Sequence, residues 1–181
     1  MEDFKKLCRI NDLNGIKINY IFKKYKDLNL NEAFQYCADV EIAKWLVSLP
    51  EAKFINVHSG NEHAFRKCCH KGYFEMARWL YNSYPNIDIH AENDSAFIAS
   101  CQMGHLKIAQ WLHKLVTDGG EILNVHSYKS AFTESCQSGH LDTAQWLYSL
   151  GIIFDTETLI GNSNNSKEVN DWLISLKKYV I

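Results

Sequence analysis

Cysteine and histidine are the side chains through which this chain could do chemistry, since its 181 residues include six Cys and eight His. Thiolate and imidazole are common zinc ligands, and a Cys beside a His can form a nucleophile with its general base. Neither a Cys-x-x-Cys nor a His-Glu-x-x-His motif is present, however, and no glycine-rich phosphate loop occurs. We therefore expect no catalytic residues and interpret the chain as a non-enzymatic protein.

The spacing of these residues explains most of them without a metal. Four cysteines and five histidines recur at three fixed positions of an internal repeat: Cys8, Cys69, Cys101 and Cys136; His58, His90 and His126; His105 and His140. Helical units pack about 8–10 Å apart, whereas a disulfide needs Cα atoms within about 7 Å and zinc needs four converging ligands. We expect buried free thiols, no metal ligands and no cofactor, with a metal-binding protein as a remote alternative.

The repeat is clearest in the tryptophans. All five are followed directly by leucine and stand 34, 32, 35 and 26 residues apart: Trp45, Trp79, Trp111, Trp146 and Trp172. A period of about 33 residues is typical of helical repeat proteins, in which each unit buries its apolar face only against its neighbours. We expect an all-α solenoid whose core is filled by these indoles, with smaller Cys and Ala side chains opposite them.

Each well-formed repeat predicts a pair of helices. An Ala-Phe pair followed four residues later by Cys marks one face of a first helix, which ends at Gly72, Gly104 or Gly139. Apolar residues at helical spacing then continue to the Trp-Leu pair and predict a second helix. The polar segment between repeats predicts a turn that projects sideways, after which Ser95 and Ser130 are expected to cap the next first helix.

Residues 95–112, Ser-Ala-Phe-Ile-Ala-Ser-Cys-Gln-Met-Gly-His-Leu-Lys-Ile-Ala-Gln-Trp-Leu, resemble the ankyrin repeat position by position. The family's Thr-Pro-Leu-His is replaced here by Ser-Ala-Phe-Ile, its Ala-Ala by Ser-Cys and its Leu-Leu by Trp-Leu. This variant is similar in style to the divergent ankyrin repeats of large DNA viruses. Tetratricopeptide repeats have a similar period but lack the sideways turn and the Gly-His break between the helices.

The resemblance predicts a single ankyrin-repeat domain over residues 1–181, a solenoid of stacked helix-turn-helix units with projecting turns. Three well-formed repeats occupy residues 56–152, after a degenerate repeat at 28–55 that lacks the Gly-His pair. Residues 1–27 and 153–181 are predicted to be the N-terminal and C-terminal caps, which cover the apolar ends of the stack.

The function that the resemblance implies is that of a scaffold or adaptor, which binds a partner protein on the concave face formed by first-helix ends and turn tips. Carried over position by position, the partner-binding candidates are His70, Lys71, Gln102, Met103, Gln137, Ser138, Asn61, Glu62, Glu92, Asn93, Tyr128 and Lys129. The three strongest candidates are Lys71 as a charge that steers association, Met103 as an adaptable apolar contact and Tyr128 as an aromatic anchor. The alternative is a self-associating structural or assembly module.

Net charge and hydropathy limit the classes of binding partner and the cellular compartment that we expect. A net charge of −2 provides no basic face for nucleic acid, and no apolar run approaches the roughly 20 residues that span a bilayer. The charged amino terminus does not resemble a secretory signal. We expect a monomeric cytoplasmic protein that binds no nucleic acid or membrane. If the viral resemblance holds, the compartment is the host cytoplasm and the partner protein is a host factor.

Overall fold

All regular secondary structure in the described part of the chain is helical. A computed structural model describes residues 30–162 and 165–177, so the predicted N-terminal cap at 1–27 lies outside the described residues. In chain order the helices are α1 (Leu30–Gln35), α2 (Val40–Val47), a 3-10 helix (Pro50–Phe54), α3 (Ser59–Lys71), α4 (Phe74–Ser83), α5 (Ala91–Gln102), α6 (Leu106–Asp118), α7 (Val125–Gln137), α8 (Leu141–Ser149) and α9 (Lys167–Lys177). The all-α prediction is confirmed for these residues.

The described residues divide into two compact units. The first contains residues 30–68 and 73–88, and the second contains 69–72 with 89–162 and 165–177. In the first unit, α1 packs on α2 and on the 3-10 helix, and α2 packs on α4. In the second unit, α5 packs on both α6 and α7, and α7 packs on α8. The second unit is therefore built from two helix pairs whose first helices, α5 and α7, lie side by side.

One face of α5 is completely buried and shows why its residues repeat. Phe97, Ser100 and Cys101 are each at most 1% exposed. The Ser100 hydroxyl donates to the carbonyl of Phe97 at 2.8 Å, which satisfies a polar group that would be costly to bury unpaired. The equivalent residues of α7, Phe132, Ser135 and Cys136, are buried in the same way.

The cysteines behave as small apolar side chains. The five that the structure describes are buried thiols outside any disulfide, as predicted for Cys69, Cys101 and Cys136, whereas Cys8 lies outside the described residues. Burial raises the pKa of Cys68 and of Cys136 to about 12, and burial likewise raises the pKa of Cys101. These thiols stay protonated near neutral pH and therefore lack the thiolate character that nucleophiles and metal ligands require.

The prediction that the indoles fill the core is wrong in its placement of the side chains. All five tryptophans are only partly buried, whereas the leucine after each one is at most 2% exposed. Successive residues of an α-helix point about 100° apart. Because the leucine points directly into the core, the tryptophan lies at its margin.

Each of three indoles instead covers the buried phenylalanine of the preceding repeat. The ring centroids of these pairs are 6.2–6.3 Å apart and the rings are strongly tilted: Phe34 with Trp79, Phe97 with Trp146, and Phe132 with Trp172. Edge-to-face contacts of this kind add stability beyond the area that they bury. Aromatic ring contacts are therefore part of the packing of one repeat on the next within each unit.

The Gly-His pair joins two helices and also two repeats. Gly104 ends α5 with a φ of +69°, and the N–H groups of Gly104 and His105 donate to the carbonyls of Cys101 and Ser100. This pattern closes the helix in the Schellman manner. A Cβ on Gly104 would lie only 2.5 Å from Nδ1 of His140, the histidine of the next repeat. Glycine is thus required here both by its φ and by the ring that packs on it.

The expected position of one helix cap is wrong. Ser130 lies inside α7, whose N-cap is Asn124 with its side chain accepting from the N–H of His126 at 2.9 Å. Ser95 also lies within its helix, and its hydroxyl donates to the carbonyl of Ala91. Ser130 therefore lies well inside a right-handed helix, whereas Ser95 directly follows residues 92–94, which have positive φ values.

We expect Gly104→Ala to destabilise the protein more than Gly151→Ala, as measured by urea unfolding. Both glycines have φ near +70°, but an added Cβ meets nothing within 4 Å at Gly151. The difference should be about 1–3 kcal/mol, the usual cost of overpacking a tight site. Equal losses in the two variants would show that the His140 contact is unimportant.

A second pair of variants tests the placement of the indoles. Leu147 is fully buried, so Leu147→Ala should lower the free energy of unfolding by about 2–5 kcal/mol. Trp146→Leu keeps an apolar side chain and loses mainly its ring contacts, at a cost of about 0.5–1.5 kcal/mol. Thermal or urea unfolding of both variants shows which one loses more stability. A larger loss for Trp146→Leu than for Leu147→Ala would indicate that the indole, and not the leucine, fills the core.

Candidate functional site

The ends of the first helices carry a repeated pair of accessible positions. The residue directly before each junction glycine is exposed, and the residue before that is partly buried: Lys71, Met103 and Ser138 are exposed, and His70, Gln102 and Gln137 are intermediate. These residues all belong to the second unit. Because α5 packs on α7, Met103 and Ser138 occupy the same position on neighbouring helices.

Two of the partly buried members, Gln102 and His70, make contacts within the protein. The Gln102 side-chain amide donates to the carboxylate of Glu134 on α7 at 2.9 Å. The carbonyl of His70 lies 3.2 Å from Nε2 of His105, and burial together with Lys71 and His105 lowers the pKa of the His70 imidazole. These contacts connect successive repeats and leave the exposed member as the accessible position.

Two of the predicted turn-tip residues are buried. Tyr128 is only 4% exposed, its ring packs edge-on against Phe97 at 5.4 Å, and its hydroxyl lies 2.8 Å from Nδ1 of His113. Burial lowers the pKa of His113 and raises the pKa of Tyr128. The aromatic anchor predicted at Tyr128 is therefore wrong, because the ring is part of the core. The other predicted turn residues, Asn61, Glu92, Asn93 and Lys129, are exposed.

The second buried residue, Glu62, belongs to an unusual turn. Residues 60–62 at the start of α3 have φ values of +65°, +53° and +61°, which is one turn of left-handed helix. Residues 92–94 at the start of α5 repeat it with +54°, +56° and +61°. A left-handed conformation costs roughly 1–2 kcal/mol for each residue that is not glycine. Two such turns at one repeat position require specific stabilising contacts.

Each left-handed turn ends in a buried carboxylate that holds the histidine four residues earlier. His58 Nδ1 lies 2.7 Å from Glu62, and His90 Nδ1 lies 2.6 Å from Asp94. Glu62 and Asp94 are 5% and 4% exposed. The sequence signal that finds this turn is a histidine followed four residues later by Glu or Asp, a spacing that sequence reasoning missed.

Further contacts hold each turn in place. In the first, the Arg66 guanidinium donates to the carbonyls of Gly60 and Asn61 at 3.0 and 2.7 Å. In the second, the Ser127 hydroxyl donates to Asp94, and His90 Nε2 lies 2.9 Å from the carboxylate of Glu121. The second turn is therefore fixed by groups of the following repeat.

The third repeat has no such turn, for a reason visible in its sequence. The residue four positions after His126 is Ser130, which has no carboxylate. There α7 begins at Val125 in the ordinary right-handed conformation, with Asn124 as its cap. The left-handed turn is therefore present in the two repeats that have an acidic residue four positions after the histidine, and absent from the one that does not.

No group of three or more His, Cys, Asp or Glu side chains in residues 30–162 and 165–177 is arranged to hold a metal ion. Over the same residues, no helix combines the length and the apolar character needed to span a membrane. Comparison of the chain with family models, with curated proteins and with solved structures finds no match.

The His90 contacts predict a pH-dependent contribution to stability. Burial lowers the pKa of His90, but its hydrogen bonds to Asp94 and Glu121 outweigh this and raise the pKa above the ordinary 6.5. A raised folded-state pKa stabilises the fold below pH 6.5, and that stabilisation is lost as the pH rises through the raised value. The advantage of the native protein over His90→Gln should therefore shrink from about pH 5.5 to pH 8.5.

Urea unfolding of both proteins at several pH values measures this trend. Titration of the His90 imidazole by NMR assigns it to the residue. An advantage that grows with pH, or an imidazole that titrates below 6.5, contradicts the assignment.

Proposed function

We propose that this chain is a divergent ankyrin-type repeat protein that recognises a partner protein through the ends of its first helices. The helix pairs, the glycine junctions that receive the next histidine, and the side-by-side packing of α5 and α7 support this reading. So does the all-helical composition of the described residues. We propose further that it acts as a monomer in the cytoplasm, on a host protein if its origin is viral.

The observation on which the proposal rests is the difference in burial between neighbouring residues at the end of one helix. Cys101 is fully buried, Gln102 binds the next helix, and Met103 is 40% exposed directly before a glycine that the fold requires. The exposed position holds Lys71, Met103 and Ser138 in successive repeats. The fully buried Phe and Cys positions hold the same residue in all three repeats, whereas this exposed position differs in size, polarity and charge. That is the pattern of a surface adapted to one partner.

The chemistry of this surface suits a partner protein of mixed character. Met103 provides a flexible apolar contact, and Lys71 provides a charge that steers association. The exposed turn residues Glu92, Asn93 and Lys129 add both signs of charge and an amide. A surface without one dominant sign does not favour a polyanion such as nucleic acid.

Affinity capture with matched variants tests this function. We expect Lys71→Glu with Met103→Ala to lose at least one protein that the native chain retains from cell extract, by about tenfold in quantitative mass spectrometry, because central interface residues carry most of the binding energy. The control is Lys107→Glu with Gln110→Ala, since both residues are exposed on α6. The control should retain the same proteins as the native chain.

Two outcomes contradict the proposal. If the native chain, the double variant and the control retain the same proteins, the ends of the first helices do not take part in recognition. A native chain that retains nothing, and whose mass by light scattering is a multiple of 20.9 kDa at low and high concentration, would favour the self-associating module instead.

A further inference from the structure

The most exposed apolar side chains of the second unit lie in the segments that connect one helix pair to the next. Ile122 is 82% exposed and Ile153 is 88% exposed, and Val125 beside the first is 50% exposed. Isoleucine side chains are seldom this exposed, and several exposed apolar residues on one surface mark an interaction site more often than a single one does. We call these three residues the connector ridge.

The two isoleucines occupy the same place in successive connecting segments. Each directly precedes a buried apolar residue, Leu123 or Phe154, and Phe154 stacks on Phe132 of α7 with centroids 4.2 Å apart. The buried neighbour anchors each segment, which forces the isoleucine outward. Successive helix layers pack about 8–10 Å apart, so one extended or helical peptide can contact both side chains.

Acidic residues outnumber basic ones in the sequence around the ridge, although Lys129 follows Val125 by four residues. Between Lys114 and Lys167 the sequence has six Asp and Glu residues, and Lys129 is the single Lys or Arg. Glu121 is next to Ile122, and Asp155 and Glu157 follow Ile153; all three are exposed. Glu121 remains accessible, at 66% of its side chain, while it binds His90. An apolar strip with acidic flanks is complementary to an apolar strip with basic flanks.

We propose that the connector ridge docks a basic amphipathic segment of a partner protein, with its apolar side chains on Ile122 and Ile153 and its Lys or Arg side chains toward Glu121, Asp155 and Glu157. This surface uses other residues than the first-helix ends and does not depend on the function proposed above. A second copy of the chain is the less suitable occupant, because a symmetric interface brings identical acidic flanks together. A polyanion is disfavoured by the same charges.

Selection from a display library tests the ridge. The probe is a phage-displayed library of about 16-residue segments with apolar residues at i, i+3, i+4 and i+7 and with flanks randomised among Lys, Glu and Ser. The bait is the full chain. We expect enrichment of Lys flanks over Glu flanks by at least about tenfold, and loss of the enriched clones on Ile122→Asp with Ile153→Asp. Asp155→Asn with Glu157→Gln should reduce the Lys preference and its sensitivity to salt.

Ile174→Asp is the matched control, because Ile174 is exposed on α9 and lies outside the ridge. This control should retain the enriched clones, and thermal melts should show that all variants fold like the native chain. A pool without flank preference, or one that the double isoleucine variant still binds, overturns the proposal. So does a concentration-dependent increase in mass that the double variant abolishes, which would identify a second copy as the occupant.

Discussion

A helix pair in this protein cannot cover its own apolar face, and the covering is done by an aromatic ring of the following repeat. Phe97 and Phe132 are completely buried, at 1% exposure each. The rings of Trp146 and Trp172 close over them at 6.2–6.3 Å. Stability in such an arrangement resides in the interfaces between neighbours as much as in the single units. The junction glycines, the turns and the exposed positions are arranged around this contact.

The left-handed turns illustrate how neighbouring repeats compensate for local cost. Residues 92–94 have no glycine, so the conformation alone costs on the order of several kcal/mol. A hydrogen bond that involves a charged group contributes about 1.5–3 kcal/mol, and Asp94 accepts such bonds from His90 and from Ser127. Since Ser127 belongs to the following repeat, the turn and the repeat interface stabilise each other. Where the carboxylate is missing, as at Ser130, the chain takes the ordinary helix instead.

The periodicity of the sequence predicts some features of this fold and fails to predict others. The helix pairs, the junction glycines and the buried thiols follow from spacing, because each depends on one position relative to its own helix. The burial of Tyr128 does not follow, since it depends on Phe97 and His113 of the preceding repeat. The left-handed turns depend on a His-carboxylate spacing that two repeats have and the third lacks. The exposed helix-end residues were predicted by position, but their partner chemistry is not periodic and has to be read from burial and charge.

The recurrent Trp-Leu pair has a physical explanation in this geometry. The second residue of the pair points straight into the core, where Leu147 is fully buried, and an indole would overpack that site. The first residue lies at the margin, where in three repeats the indole contacts the phenylalanine of the preceding repeat. An indole there leaves one edge in solvent, which its polar N–H tolerates. Aromatic side chains thus meet where neighbouring repeats contact each other, and the fully buried positions beneath them hold Phe, Leu, Ala, Ser and Cys.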